Sequence, residues 1–256
     1  AGRPEVVGYD ILNEPGRGTN TPNIAEDNLF PFYEDAGVAL RKVDTDACLI
    51  VQPATGFDGG RHGVQPALSD SNTVYAPHYY PDLRRELSDD EYDTYLSMLI
   101  AEGDQVGAPT VIGEYGLPNE FPMLPFRTCQ PAEERRKGGA FDRAAMSAIR
   151  PWYVDQGWWA VLEPGYEEGD RLHAVIRPYL ERIPGTTAGW TVDDDDRLVG
   201  SIHVAADATA PLVIGARGDR QWDVQIDGAA VTTTVDGGHL EVMVTPGTHE
   251  VTVQPR

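Results

Sequence analysis

Cysteine, positive charge and long apolar runs are all scarce in this chain. Two cysteines among 256 residues, Cys48 and Cys129, make no disulfide framework and no C-x-x-C pair. The six histidines show no H-E-x-x-H or related ligand spacing, so neither a structural metal nor a cofactor is indicated. No apolar run reaches the length of a membrane span, and no signal peptide is legible at the start. Only 20 Lys and Arg stand against 41 Asp and Glu, a net charge of −21, which repels phosphate backbones and anionic membrane surfaces and excludes nucleic acid as a natural partner. The same acidic excess leads us to expect a secreted, extracellular protein. No G-x-S-x-G occurs among the few serines, which disfavours a serine hydrolase.

What is present is enough for real cores: 41% of the residues are hydrophobic. Up to about residue 183, short apolar runs alternate with longer amphipathic stretches, the pattern of parallel β/α units. Strands are expected at 5–12, 48–52, 73–76, 110–113 and 158–162, with helices at 24–42, 90–105 and 132–156 where apolar positions recur every three or four residues. From residue 184 the texture changes to β-branched runs at 198–205, 212–216, 222–226, 240–245 and 250–254, punctuated by Asp227-Gly228, Asp236-Gly237-Gly238 and Pro246-Gly247. Trp222, Val224 and Ile226 alternate with polar residues, as in a small antiparallel sandwich. The expected division is therefore 1–183 for part of a β/α barrel and 184–256 for a small β-sandwich.

In a parallel barrel the loops at the carboxyl ends of the strands carry the chemistry. Here the expected strands end in Asn13-Glu14-Pro15, Gln52, Pro77-His78-Tyr79-Tyr80, Gly113-Glu114-Tyr115-Gly116 and Glu163-Pro164-Gly165-Tyr166. Cleavage of a glycosidic bond needs two carboxyl groups facing each other, about 5–5.5 Å apart when configuration is retained. Glu14 and Glu114 suit those two places. Glu163 and Gln52 are read either as groups that bind sugar hydroxyls or as structural residues of the rim.

Asn-Glu-Pro, then His-x-Tyr, then Gly-Glu-Tyr-Gly on successive strand ends resemble strands four, six and seven of glycoside hydrolase family 5. The resemblance implies an α/β fold, a (β/α)8 TIM barrel of which this chain supplies about strands 4–8, followed by an all-β antiparallel sandwich. It makes Glu14 the acid/base and Glu114 the nucleophile of a double displacement. Asn13 would bind the 2-hydroxyl of the sugar, while His78 and Tyr80 flank Glu114. Tyr80 would donate to the nucleophile, and Glu14 is expected in a less polar setting that keeps it protonated. An aromatic platform under the sugar would be Trp159 or Trp158.

Ala76-Pro77-His78-Tyr79-Tyr80 and the passage from Arg177-Pro178-Tyr179 to Gly185 are most similar to the endoglycoceramidase branch of that family. This branch implies a glycosphingolipid substrate cut between oligosaccharide and ceramide. Leu117, Phe121, Met123, Leu124 and Phe126 would either line a lipid groove or close a loop onto the barrel. Gly16-Arg17-Gly18 stands where related enzymes often carry a bulky aromatic. The rival readings are an endo-β-glucanase or mannanase of the same family, and a noncatalytic carbohydrate-binding protein. Five strands leave two sheet edges open, so an N-terminal segment supplying strands 1–3 is the expected partner.

Overall fold

The computed structural model describes residues 3, 5–16, 23–54, 65–118, 130–151, 153–154, 156–157, 159–236 and 238–256. The chain divides into two compact units, Ala1–Arg127 with Ser147–Trp152, and Thr128–Met146 with Tyr153–Arg256.

In the first unit the short apolar runs become parallel strands. β1 (Gly8–Asp10), β2 (Cys48–Val51) and β3 (Thr73–Tyr75) lie side by side in that order, with Tyr9 opposite Leu49 and Ile50 opposite Val74. Parallel neighbours need a long crossover. The first is a π-helical turn, Ala25–Leu29, leading into α1 (Phe30–Arg41), whose Phe30 and Tyr33 share a core with Leu49 and Val51. Pro31 sits in the first turn of α1, just past the π-helical turn. β4 (His78–Tyr79) follows β3 after two residues, and α2 (Asp89–Val106) then crosses to β5 (Glu114–Tyr115), which pairs with β4 in parallel. Ser88 and Glu91 cap each other's backbone N–H at the start of α2, and Gly107, at φ 79°, ends it.

The hydrogen-bonded ladder runs on past β3. Val111 N–H donates to the Tyr75 carbonyl, Ile112 N–H to that of Ser147, and Ile149 N–H to that of Ile112. Parallel bridges join Tyr75 to Thr110 and Ile112 to Ala148. The fifth parallel segment is thus 147–149, which corrects the expectation of a strand at 158–162. The helix expected over 132–156 is α3 (Pro131–Arg143), and it stops early. Beyond Ala144, Ala145 turns to φ 51° and Met146 N–H reaches back to the Phe141 carbonyl. Residues 144–149 contain no Gly or Pro and read as helix formers, but the backbone groups around Ile112 offer them a ladder, and that nonlocal pairing overrides local propensity. Residues 159–162 form turns, with Leu162 N–H bonded to the Val154 carbonyl and Val161 and Leu162 packed on Leu172. Trp158 lies outside the described residues.

In the second unit, α4 (Asp170–Val175) and β6 (Tyr179–Arg182) precede a run of antiparallel strands. These are β7 (Gly185–Val192), β8 (Leu198–Val204), β9 (Leu212–Gly215), β10 (Trp222–Ile226), β11 (Ala229–Ala230), β12 (Thr234–Asp236), β13 (His239–Val242) and β14 (Gly247–Pro255). Two sheets result, ordered β11-β10-β14-β8-β7 and β12-β13-β9-β6. Alternation along β8 buries Leu198, Gly200, Ile202 and Val204, and its apolar side chains share one core with Leu212, Ile214, Trp222, Leu240 and Val253. β6 pairs with β9, so antiparallel structure begins at Tyr179, ahead of the expected boundary at 184.

Arg177, two residues before β6, ties α3 to it. Its guanidinium donates to both carboxylate oxygens of Asp142, from Nε at 2.6 Å and Nη2 at 3.0 Å, and to the Gly138 carbonyl at 2.6 Å. A Cβ at position 138 would lie 2.3 Å from Arg177 Nη1, so a side chain there would displace the guanidinium from this place. Burial pushes the Asp142 carboxyl above its ordinary range, although the Arg177 charge pulls the other way.

Candidate active site

The polar strand ends of the first unit converge. Parallel pairing of β4 with β5 puts His78 opposite Glu114, so two side chains 36 positions apart emerge on one face. His78 Nδ1 lies 2.7 Å from Glu14 Oε1 and 3.3 Å from Glu114 Oε2. Tyr80 donates its hydroxyl to the other oxygen of Glu114, Oε1, at 2.5 Å. The ligating atoms of Glu14, His78 and Glu114 all lie within 4.8 Å of one another, which brings the two carboxylates into reach of a single small group. Among the described residues this is also the set that could hold a metal ion.

Electrostatics divides the group. Burial pushes the Tyr80 phenol far above its ordinary range, and the hydrogen bond to Glu114 and its charge push the same way; Arg150 opposes them. Tyr80 therefore stays a donor across any working pH. Glu14 is the more exposed carboxylate, its side chain 46% accessible against 17% for Glu114, which reverses the expectation that Glu14 occupies the less polar setting. The physical reason is its position: Glu14 sits in the turn after β1, beside exposed Asn13, whereas Glu114 lies within β5.

Glu14 has a backbone φ of 45°. For a residue with a Cβ this left-handed conformation costs about 1–2 kcal/mol, so something must hold it. Its N–H donates to Gln52 Oε1 at 2.9 Å, and Gln52 Nε2 donates to Asp10 Oδ2 at 2.6 Å. Gln52 is 1% exposed, with both ends of its amide engaged by the protein.

Arg150 was not legible as a site residue, because the sequence placed it inside a helix. It follows the fifth parallel segment, where its guanidinium lies over the Tyr115 ring at 5.9 Å and donates to the Tyr115 carbonyl at 3.4 Å. The flanking glycines of Gly113-Glu114-Tyr115-Gly116 answer to close approach. A Cβ at 113 would sit 2.9 Å from the Ala76 carbonyl oxygen, and one at 116 would sit 2.3 Å from Arg150 Nη1.

Trp159 is half-buried and Glu163 exposed, and both belong to the second unit. Leu117 is buried at 2% exposure. Phe121, Met123, Leu124, Phe126, Arg17 and Gly18 lie outside the described residues.

Comparison with known proteins places this geometry. Residues 2–159 match the model of the cellulase family, glycosyl hydrolase family 5. Endoglycoceramidase I of Rhodococcus hoagii (strain 103S) is 25% identical over 282 aligned residues, covering 99% of this chain and 54% of the relative. The solved structure of endo-glycoceramidase II from Rhodococcus sp. superposes with a TM-score of 0.78 at 25% identity, over 98% of this chain and 60% of that one. A second structure of that enzyme, described as a lactosyl-enzyme intermediate, gives a TM-score of 0.76 at 26% identity, over 98% and 59%. This chain spans about half the length of the first relative and about three fifths of the second. The likeness gives the parallel segments a TIM-barrel-like fold. With its family match running over more than half its length, the chain belongs to glycosyl hydrolase family 5.

Proposed function

We propose that this chain is part of a retaining endo-β-glycosidase that cuts glycosphingolipids between oligosaccharide and ceramide, with Glu114 as nucleophile and Glu14 as acid/base. The observation that carries the reading is the carboxylate spacing. Ligating oxygens within 4.8 Å suit the retaining arrangement of about 5–5.5 Å and fall short of the separation of about 6.5–9.5 Å that inversion uses. The lactosyl-enzyme described for the Rhodococcus relative is the intermediate such a mechanism requires, and the names of both relatives supply the ceramide aglycone.

In this mechanism Tyr80 holds Glu114 Oε1, so attack on the anomeric carbon falls to Oε2. As the new C–O bond forms, the bond to the leaving oxygen breaks and Glu14 gives that oxygen its proton. Glu14, now a carboxylate, takes a proton from water, whose oxygen bonds the same carbon as the C–O bond to Glu114 Oε2 breaks; the sugar leaves with its configuration retained and Glu114 is again a carboxylate. His78 Nδ1, within 3.3 Å of both carboxylates, keeps them aimed at one point. Asn13 is assigned to the sugar 2-hydroxyl.

We assign the antiparallel strands of the second unit to a C-terminal sandwich. A preceding segment is assigned to the first barrel strands, since β1 and its flanks expose Val7 at 77%, Tyr9 at 38% and Leu12 at 42%, apolar side chains suited to cover by neighbouring chain.

The test uses the intact protein with a fluorescent glycosphingolipid and a soluble β-glucan. Cleavage of the lipid with the β-anomer formed first, lost in Glu114→Gln, supports the reading. The α-anomer formed first overturns the mechanism; turnover of glucan alone overturns the substrate in favour of an endoglucanase. Binding with no turnover of either makes the protein a carbohydrate-binding one.

A further inference from the structure

We propose that Gln52, braced by Asp10 and Tyr33, is a positioning residue for Glu14: it holds the proposed acid/base in its left-handed turn so that its proton points at the leaving oxygen. The inference rests on the acid/base reading of Glu14 and adds a determinant that lies outside the reacting groups.

The amide orientation of Gln52 follows from its partners. The Glu14 N–H can only donate, so the atom facing it at 2.9 Å is Oε1, and Nε2 then faces the Asp10 carboxylate at 2.6 Å. The main chain of Gln52 is held as well, because the Tyr33 hydroxyl donates to its carbonyl at 2.9 Å. Tyr33 is fully buried, and that burial pushes its phenol well above the ordinary range, so it remains a donor. A connected path thus runs from α1 through the end of β2 to the turn after β1. Its last link, the Glu14 N–H to Gln52 Oε1 bond, falls on the one residue of that turn with positive φ.

The placement has a specific consequence. Glu14 is 46% exposed at its side chain, so packing does little to fix it: the His78 contact at 2.7 Å holds one oxygen, and the direction of approach to that contact depends on the backbone from which Glu14 projects. Release of the N–H lets the turn relax toward an ordinary conformation and swings the carboxyl away from the leaving oxygen. Glu114, held by Tyr80 on β5, keeps its own aim. Loss of Gln52 therefore weakens proton delivery and spares nucleophilic attack.

Leaving-group dependence separates these effects. A dinitrophenolate departs without a proton, whereas an alkyl alcohol needs one. In the intact protein, Gln52→Met is expected to lower kcat/KM for an alkyl β-lactoside by roughly 30–100-fold, the scale of a misplaced general acid. For the dinitrophenyl β-lactoside the loss should stay below about fivefold, so the ratio of the two rises at least about sixfold. Gln52→Glu sets a second carboxylate against Asp10 and removes the donor, and it should show the same selective loss. Adding Asp10→Asn restores a donor opposite the introduced carboxylate and should return the ratio toward that of the parent.

Equal losses on both substrates in Gln52→Met, with no recovery in the Asp10→Asn/Gln52→Glu pair, overturn the proposal and make Gln52 a purely structural residue. Should Gln52→Met fail to fold, the charge-exchange pair decides by the same ratio. Glu14→Ala is the reference. If it too lacks leaving-group selectivity, the acid/base reading of Glu14 falls with the proposal; if it shows selectivity and the Gln52 variants do not, only the proposal falls.

Discussion

Removal of one oxygen atom, in Tyr80→Phe, tests how the proposed nucleophile is held. The Tyr80 hydroxyl donates to Glu114 Oε1 at 2.5 Å, and the residue is half-buried, so phenylalanine keeps the packing and deletes only the donor. A hydrogen bond to a charged acceptor contributes about 1.5–3 kcal/mol. The carboxylate also loses the contact that turns Oε2 toward substrate. If that energy is felt mainly in the transition state, with about 1.36 kcal/mol per tenfold, the glycosylation rate should fall about 10- to 150-fold. The assay is the rate at which a 2-deoxy-2-fluoro β-lactoside with a dinitrophenolate leaving group forms a covalent adduct, followed by mass spectrometry. That leaving group needs no proton from Glu14, so the experiment reads attack by Glu114 alone. A rate within twofold of the parent refutes the reasoning. Adduct formation on a residue other than Glu114 refutes it more deeply.

Two further outcomes concern the second unit. Arg177→Met leaves the Asp142 carboxylate, only 4% exposed at its side chain, without its bidentate partner, and should cost about 3–5 kcal/mol in urea unfolding. Because burial already raises the Asp142 carboxyl, and a raised folded value favours the protonated form at low pH, this deficit should shrink from pH 8 to pH 5; a pH-independent deficit counts against the explanation. His249 donates from Nδ1 to Asp227 at 2.7 Å and from Nε2 to the Thr245 carbonyl at 2.8 Å, which makes it an imidazolium with both ring nitrogens as donors. Its pKa is raised from 6.5 by the Asp227 hydrogen bond and that of Asp227 is lowered from 3.8 by the His249 bond, so the contribution is lost as pH rises through the folded value of His249 and as it falls through that of Asp227. Thermal midpoints measured from pH 6 to pH 8 should drop more in the parent than in His249→Gln, and parallel profiles exclude the effect.

The polar residues at the strand ends were legible because period and position speak together. A β-branched run ending in Asn13-Glu14-Pro15 or Gly113-Glu114-Tyr115 leaves its carboxylate where a parallel strand stops, and nothing apolar competes for the place. The end of α3 was not legible, since Ala144 to Ile149 contains only residues that a helix accepts. What ended it was a row of backbone donors and acceptors around Ile112, supplied by chain more than 30 residues away. Arg150 followed that error, because its use of the Tyr115 ring and carbonyl depends on the same pairing. Gln52 was read as a group for sugar or rim, and only its contacts with Asp10 and Glu14 reveal an inward-facing amide.

By itself the sequence determined which residue types stand at the ends of which strands, and so the pair of acids and the tyrosine through which a family 5 chemistry would work. Local pattern suffices for that, since alternation and turn residues act over a few neighbours. The tertiary structure decided the spacing of Glu14 and Glu114, the greater exposure of Glu14, and the amide that holds it in a left-handed turn. Those depend on register between strands and on hydrogen bonds across 34 to 64 positions of chain, where each contact exists only once the others have formed.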